Sequence, residues 1–262
     1  MKSLRNEKSA LFGLRLVAAL GVALSMNAAP GDGREHAPQV LPAQTCAFGK
    51  SYAEWSVEWW RWAMKLPATQ HPLFDTAPVG TGQSGPVWFL GGKFCASGPG
   101  APPCNPQAAE RTVTIPAGKA LFFPLVNSEC SGLEGNGTTY VELRNCVQPA
   151  IDGATGLACE IDGNSVPDLD QFRVLSPLFT YTLASHDNVW AAVGGTVGNP
   201  PQPIPNGVTT PSVADGYYVL LAPLAVGRHE LHFHAAIPAF TFSLDVTYHI
   251  TVAPRSGDRS ED

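Results

Sequence analysis

Eight stretches rich in β-branched and aromatic residues, each closed off by turn-forming residues, constrain this chain more than any other feature. They are PVWFL (86–90), RTVTI (111–115), KALFFPLV (119–126), LACEI (157–161), FRVLSPLFTYTL (172–183), YYVLLA (217–222), HELHFH (229–234) and FTFSLDVTYHITV (240–252). Runs of this kind read as strands. Between them stand Pro116-Ala117-Gly118, Asp162-Gly163 and Asp215-Gly216, which read as turns. Strands that succeed one another without alternating helices pack as antiparallel layers. The expected fold is therefore mainly β, an antiparallel β-sandwich or jelly roll.

Two helices are expected beside the strands. In SYAEWSVEWWRWAMKLP, Ser51 and Glu54 form a capping box and Pro67 stops the helix just beyond Lys65. Tyr52, Trp55, Trp59 and Trp62 align on one face of it, an aromatic stripe that needs cover. A shorter helix is expected from Tyr140 to about Asp152, with Thr139 and Glu142 as its box and Leu143, Val147 and Ile151 recurring every four residues.

Charged residues are only 15% of the chain and 44% are hydrophobic, which suits a large buried core and excludes disorder. The formal net charge is −6, even though Lys2, Arg5, Lys8 and Arg15 make the N-terminus basic. A nucleic-acid partner, which needs a basic face, is excluded. The basic stretch, the apolar run Leu16 to Met26 and the small residues Ala28 and Ala29 have the layout of a secretory signal peptide over 1–28. That run is too short for the ~20 residues of a membrane-spanning helix. Residues 29–45 read as a flexible leader, 46–254 as one β-sandwich domain and 255–262 as a polar tail. The expected location is secreted or periplasmic. All six cysteines follow the signal segment, so three disulfides are expected, with Cys95 and Cys104 the pair suggested by the short loop between them.

Several phrases occur together: GQSGPVWFLGG (82–92), TIPAGKALFFPLVN (114–127), ADGYYVLLAPL (214–224) and GRHELHFH (227–234). They resemble a group of bacterial exported β-sandwich proteins of uncharacterised function, over about Tyr52 to Val252. The resemblance implies export and fold; it transfers no catalytic residue, because the group has no assigned reaction.

The last two strands carry the sharpest chemistry. Leu231 and Phe233 are odd-numbered, whereas Leu244, Val246, Tyr248, Ile250 and Val252 are even-numbered. An antiparallel hairpin buries both sets together only in a register that opposes odd to even residues. Glu230 then faces His249, His232 faces Thr247 and His234 faces Asp245, with opposed Cβ atoms about 5 Å apart. Three imidazoles and two carboxylates on one face can build a zinc, copper or iron site, here His232, His234, His249, Glu230 and Asp245, with His71 and His186 as distant candidates. The simpler reading of the same residues is the solvated face of an edge hairpin.

Trp60 lies off the helical stripe and is expected near solvent, where an indole can stack on a sugar; Trp88 is its expected companion. Glu54 and Glu58 stand four apart, but no motif fixes them as a glycosidase pair. Neither Gly-x-Ser-x-Gly nor a phosphate-binding loop occurs. Asn136-Gly-Thr138 matches a glycosylation acceptor and marks an exposed loop. The expected function is an exported, noncatalytic extracytoplasmic protein that binds a glycan or other small molecule through Trp60 and Trp88. The alternative is a metal-dependent hydrolase or oxidoreductase built on the histidine-rich face.

Overall fold

The computed structural model describes residues 38–95 and 107–254. The signal segment expected over 1–28, the first part of the leader and the polar tail lie outside the described residues, as does Cys104. Helix α1 (Tyr52–Lys65) is followed by β1 (Val87–Phe89), β2 (Gln107–Pro116), β3 (Ala120–Ser131), helix α2 (Tyr140–Asp152), β4 (Thr155–Ile161) and β5 (Asn164–Ser165). Then come β6 (Arg173–Leu175), β7 (Phe179–Thr182), the one-turn helix α3 (Val189–Ala192), the small pair β8 (Thr196–Val197) and β9 (Gln202–Pro203), β10 (Thr209–Leu221), β11 (Gly227–Ile237) and β12 (Phe242–Ala253).

The long strands form two sheets, as a sandwich requires. One has the order β1-β3-β10, with β6 and β7 both pairing β10; the other runs β2-β12-β11-β4-β5. Phe123, Leu125, Val219 and Leu221 of the first sheet pack against Phe233, Val246 and Tyr248 of the second. On the opposite face of the first sheet, Phe122, Tyr218 and Leu220 meet the aromatic side chains of α1. The mainly β sandwich with two capped helices is therefore present, and both capping boxes form as the sequence expects.

The expected purely antiparallel order is corrected at one edge of each sheet. Strand β1 runs parallel to β3 and β2 runs parallel to β12. The reason lies in the 116–119 turn, which carries Gly118 at φ +80° and sends β2 and β3 into different sheets instead of closing a hairpin. The FRVLSPLFTYTL run is two strands, because Ser176 leaves the line and exchanges hydrogen bonds with the backbone of Ala214. Part of the expected flexible leader is tied down: Leu41 donates to the Leu220 carbonyl at 2.8 Å, and Val40 bridges Leu221. Cys130 and Cys146 form a disulfide that ties β3 to α2, and Cys95 is also disulfide-bonded. The expectation of three bridges fails, since Cys46 and Cys159 are free thiols, and burial pushes the Cys159 thiol up to about 12.

Asp215-Gly216, expected as a turn, lies inside β10. Gly216 pairs with Asn127 of β3, and there the two backbones approach so closely that a Cβ on Gly216 would stand 2.6 Å from the Asn127 Cβ. Just beyond, the register slips between Tyr217 and Tyr218, so that Leu125 is an extra residue on β3 and both Leu125 and Val126 reach the inter-sheet core.

His71, expected as a distant metal ligand, is instead a core residue in the segment that wraps α1. The Leu73 N–H donates to its Nδ1 at 3.0 Å, which leaves the hydrogen on Nε2 to reach the Ala63 carbonyl at 2.9 Å. Burial lowers the imidazole from 6.5 to about 4.

Two outcomes follow from this packing. Gly216→Ala is expected to cost about 2 kcal/mol of stability by forcing overpacking between β3 and β10, read from chemical unfolding at constant m. His71 binds its proton in the unfolded chain but not in the folded one between pH 6.5 and about 4. Its contribution to stability is thus intact above that window and falls by about 3 kcal/mol as pH drops through it. Imidazole NMR should find the ring neutral to about pH 4 in the folded protein.

Candidate functional site

The hairpin of β11 and β12 has the expected register: Glu230 opposes His249, His232 opposes Thr247 and His234 opposes Asp245. Leu231, Phe233, Leu244, Val246, Tyr248 and Ile250 are buried, and the histidines stand on the outer face. The imidazoles do not converge, however. His232 reaches diagonally, its Nε2 lying 2.8 Å from Asp245 Oδ1. His234 donates from Nδ1 to the Gly156 carbonyl at 2.8 Å. His249 is flanked by Glu110 on β2 at 2.8 Å and by Glu230 at 3.4 Å. The three imidazoles are thereby spent on four neighbours, Asp245, Gly156, Glu110 and Glu230. Among the described residues, no group of three or more His, Cys, Asp or Glu side chains is arranged to hold a metal ion.

The tryptophans expected to share a ligand lie on opposite faces of the first sheet. Trp88, in β1, packs on the inter-sheet core, and its Nε1 is buried without a hydrogen-bond partner among the described residues. Trp60 belongs to the core under α1 and is only 5% exposed, which corrects its expected place near solvent. Both flanks of α1 that carry indoles are covered, and Glu54, Arg61 and Lys65 hold its exposed face. Trp60 donates to the Tyr218 hydroxyl at 3.3 Å, while Trp55, Trp59 and Trp62 donate to the carbonyls of Ala47, Leu90 and Thr81 in the flanking segments. Glu54 serves its capping box, and Glu58 pairs with Lys50 and Arg61.

A cleft of about 230 Å³ opens at the edge of the first sheet, where strand β1 is too short to cover β3. Strand β1 pairs only with Ala120 to Phe122, so Pro124 to Asn127 form a wall. Pro124 has no N–H to leave unpaired there, a usual device for an uncovered edge. Trp59, Trp60, Phe94, Phe242 and Leu244 are among its apolar lining, with Asn127, Gln107 and Lys93 as polar groups. Asn127 Nδ2 donates to the Tyr218 hydroxyl at 3.3 Å, the atom that Trp60 also reaches. The rim at Gly91 and Gly92 is fixed from behind by Arg111, whose Nη1 donates to both carbonyls at 3.0 and 2.9 Å. Asp75 pairs with Arg111 at 2.7 Å and with Lys93 at 3.1 Å.

Beside the cleft, on the same face of β3, lies a buried polar group that sequence reasoning missed. Glu129 accepts a hydrogen bond from Tyr181 at 3.1 Å and another from Ser212. Glu134 is its acidic neighbour, with Oε2 accepting from the Ser131 N–H and hydroxyl at 2.9 Å each. Burial, and then the Glu134 charge, hold Glu129 well above the usual carboxyl range. Trp190 of α3 donates to the Tyr181 hydroxyl at 2.8 Å, and Val193 at the end of that helix lines the cleft. The only sequence signal was an acid in the otherwise apolar continuation of KALFFPLV.

No family model matches the chain, and no curated protein matches it. Among solved structures, the chain is similar to the cysteine protease inhibitor EhICP2 from Entamoeba histolytica, at 13% identity over 64% of this chain and 96% of that one, with a TM-score of 0.21. It is also similar to PbICP-C in complex with falcipain-2, at 9% identity over 64% of this chain and 100% of that one, with a TM-score of 0.24. Likeness at these scores carries no argument about fold or activity.

Proposed function

We propose that this chain is an exported binding protein whose cleft beside α1 takes a small ligand with one apolar ring and one hydrogen-bonding group. The observation that carries this reading is the cleft itself, lined largely by apolar side chains and polar at Asn127, Gln107 and Lys93. Such a lining, mostly hydrophobic with a few placed polar groups, is that of small-molecule sites. Its volume of about 230 Å³ suits a single substituted ring, since an engineered cavity of about 150 Å³ admits benzene. A glycan is a weaker fit: sugar stacking needs an open indole face, and Trp60 is almost wholly covered. Export is supported by the signal-like N-terminus and by the Cys130–Cys146 disulfide. No helix among the described residues is long and apolar enough to cross a membrane.

Tryptophan fluorescence, titrated with phenol, benzamide and cyclohexanol beside glucose and N-acetylglucosamine, tests the reading. A saturable change with the ring compounds alone is expected, weakened about tenfold in Asn127→Ala through loss of one buried hydrogen bond. A response to the saccharides alone, or none to any probe, would overturn it.

A further inference from the structure

We propose that the cleft takes its ligand as a monoanion, an aromatic carboxylate whose ring lies in the apolar lining and whose carboxylate sits at Lys93. The inference rests on the reading of the cleft as a small-molecule site and adds to it the charge of the occupant. Lys93 lines the cleft together with Gln107 and Asn127, and among the described residues of the lining it is the one charged side chain. Residues 96–106, which connect Cys95 and Gln107 of that lining in sequence, contain no Asp, Glu, Lys or Arg.

Behind Lys93 the charges do not balance. Asp75 divides its carboxylate between two cations, with Oδ1 2.7 Å from Arg111 Nε and Oδ2 3.1 Å from Lys93 Nζ. One carboxylate against two cations leaves one positive charge over. The Arg111 side chain is only 5% exposed, and its further bonds go to neutral groups: Nη1 donates to the Gly91 and Gly92 carbonyls at 3.0 and 2.9 Å and to the Tyr248 hydroxyl at 2.8 Å. Its Nη2 is buried without a hydrogen-bond partner among the described residues. Asp75 thus serves a buried guanidinium that it does not fully satisfy, and it cannot neutralise Lys93 as well. Glu110, the neighbour of Arg111 along β2, stands on the outer face of the second sheet, where it lies 2.8 Å from His249.

Lys93 is the cation of the pair that reaches solvent, with a side chain 33% exposed. An ammonium has three N–H donors, and Asp75 engages one of them. The chain carries −6 overall, but charges farther away than about 10 Å are largely screened at ~0.1 M salt, so the local surplus decides. A surplus of one matches a monoanion, whereas a phosphate dianion would overshoot it. A carboxylate on a single ring fits both that charge and the volume of about 230 Å³. Bonds from an ammonium to a carboxylate are roughly twice as strong as bonds between neutral groups, which favours the carboxylate over a carboxamide of the same shape.

Benzoate and benzamide are such a pair, alike in shape and different in charge at about pH 7. Isothermal titration calorimetry of the full chain should find benzoate about tenfold the tighter, a margin that narrows as NaCl rises from about 0.05 M to about 0.5 M. In Lys93→Met the ratio of the two affinities is expected to fall to about one, and in Lys93→Arg to persist. Asp75→Asn removes the competing carboxylate and should raise the ratio above that of the wild type. Benzamide binding as tightly as benzoate to the wild type, or a benzoate preference that survives in Lys93→Met, defeats the inference and leaves the cleft as a ligand site. Binding of neither probe defeats both. If Lys93→Met does not fold, the wild-type ratio and its salt dependence decide.

Discussion

Strands β3 and β10 carry apolar side chains on both faces, and most of the molecule is placed by the need to cover them. Phe123 and Leu221 look toward the second sheet, whereas Phe122 and Leu220 look toward α1. A sheet buried on both faces needs three layers. The second sheet supplies one cover, and α1 with the segments flanking it supplies the other. Helix α2 closes the remaining end, where Leu143 and Val147 pack on Cys130 and Val213. The unusual aromatic load of α1 follows from this arrangement, for its side chains must fill the space between a sheet and a wrapping loop. Each indole then needs a partner for its N–H, and carbonyls of the covering segments provide three of them.

Periodicity disclosed those parts of the fold that local spacing controls. Both capping boxes and the odd-even pairing of β11 with β12 were legible, because each depends on residues close in sequence. Strand partners across long separations were not. Nothing local reveals that β2 lies beside the last strand and not the next one, and that choice puts Glu110 beside His249 and alters what the histidine face can do. Asp215-Gly216 misleads for a related reason: the glycine is there to let Asn127 approach, a demand set by a strand some ninety residues earlier in the chain, and not to turn the chain.

Trp60 shows the limit of helical-wheel arguments. Its position off the stripe was correct, but the wet side of α1 is the row of Glu54, Glu58, Arg61 and Lys65, and Trp60 stands on a flank turned away from that row and covered. The cleft was likewise hidden, since it arises from a shortfall: β1 ends early and exposes the edge of β3. The buried carboxyl of Glu129 was the least legible of all. Glu129, Glu134, Tyr181 and Ser212 come from three strands and a turn, and each alone resembles an ordinary polar residue.

The bond between Cys130 and Cys146 has a mechanical meaning for this part of the molecule. It closes a covalent ring of chain that contains the Gly132–Glu134 turn, with one rim held opposite Val213 in the sheet and the other fixed on α2. The segment between the two cysteines is therefore a closed hoop with both feet anchored. Such a hoop keeps the turn and the first half of α2 close to β3 even when the chain unfolds, so that fewer arrangements of this stretch are lost on folding.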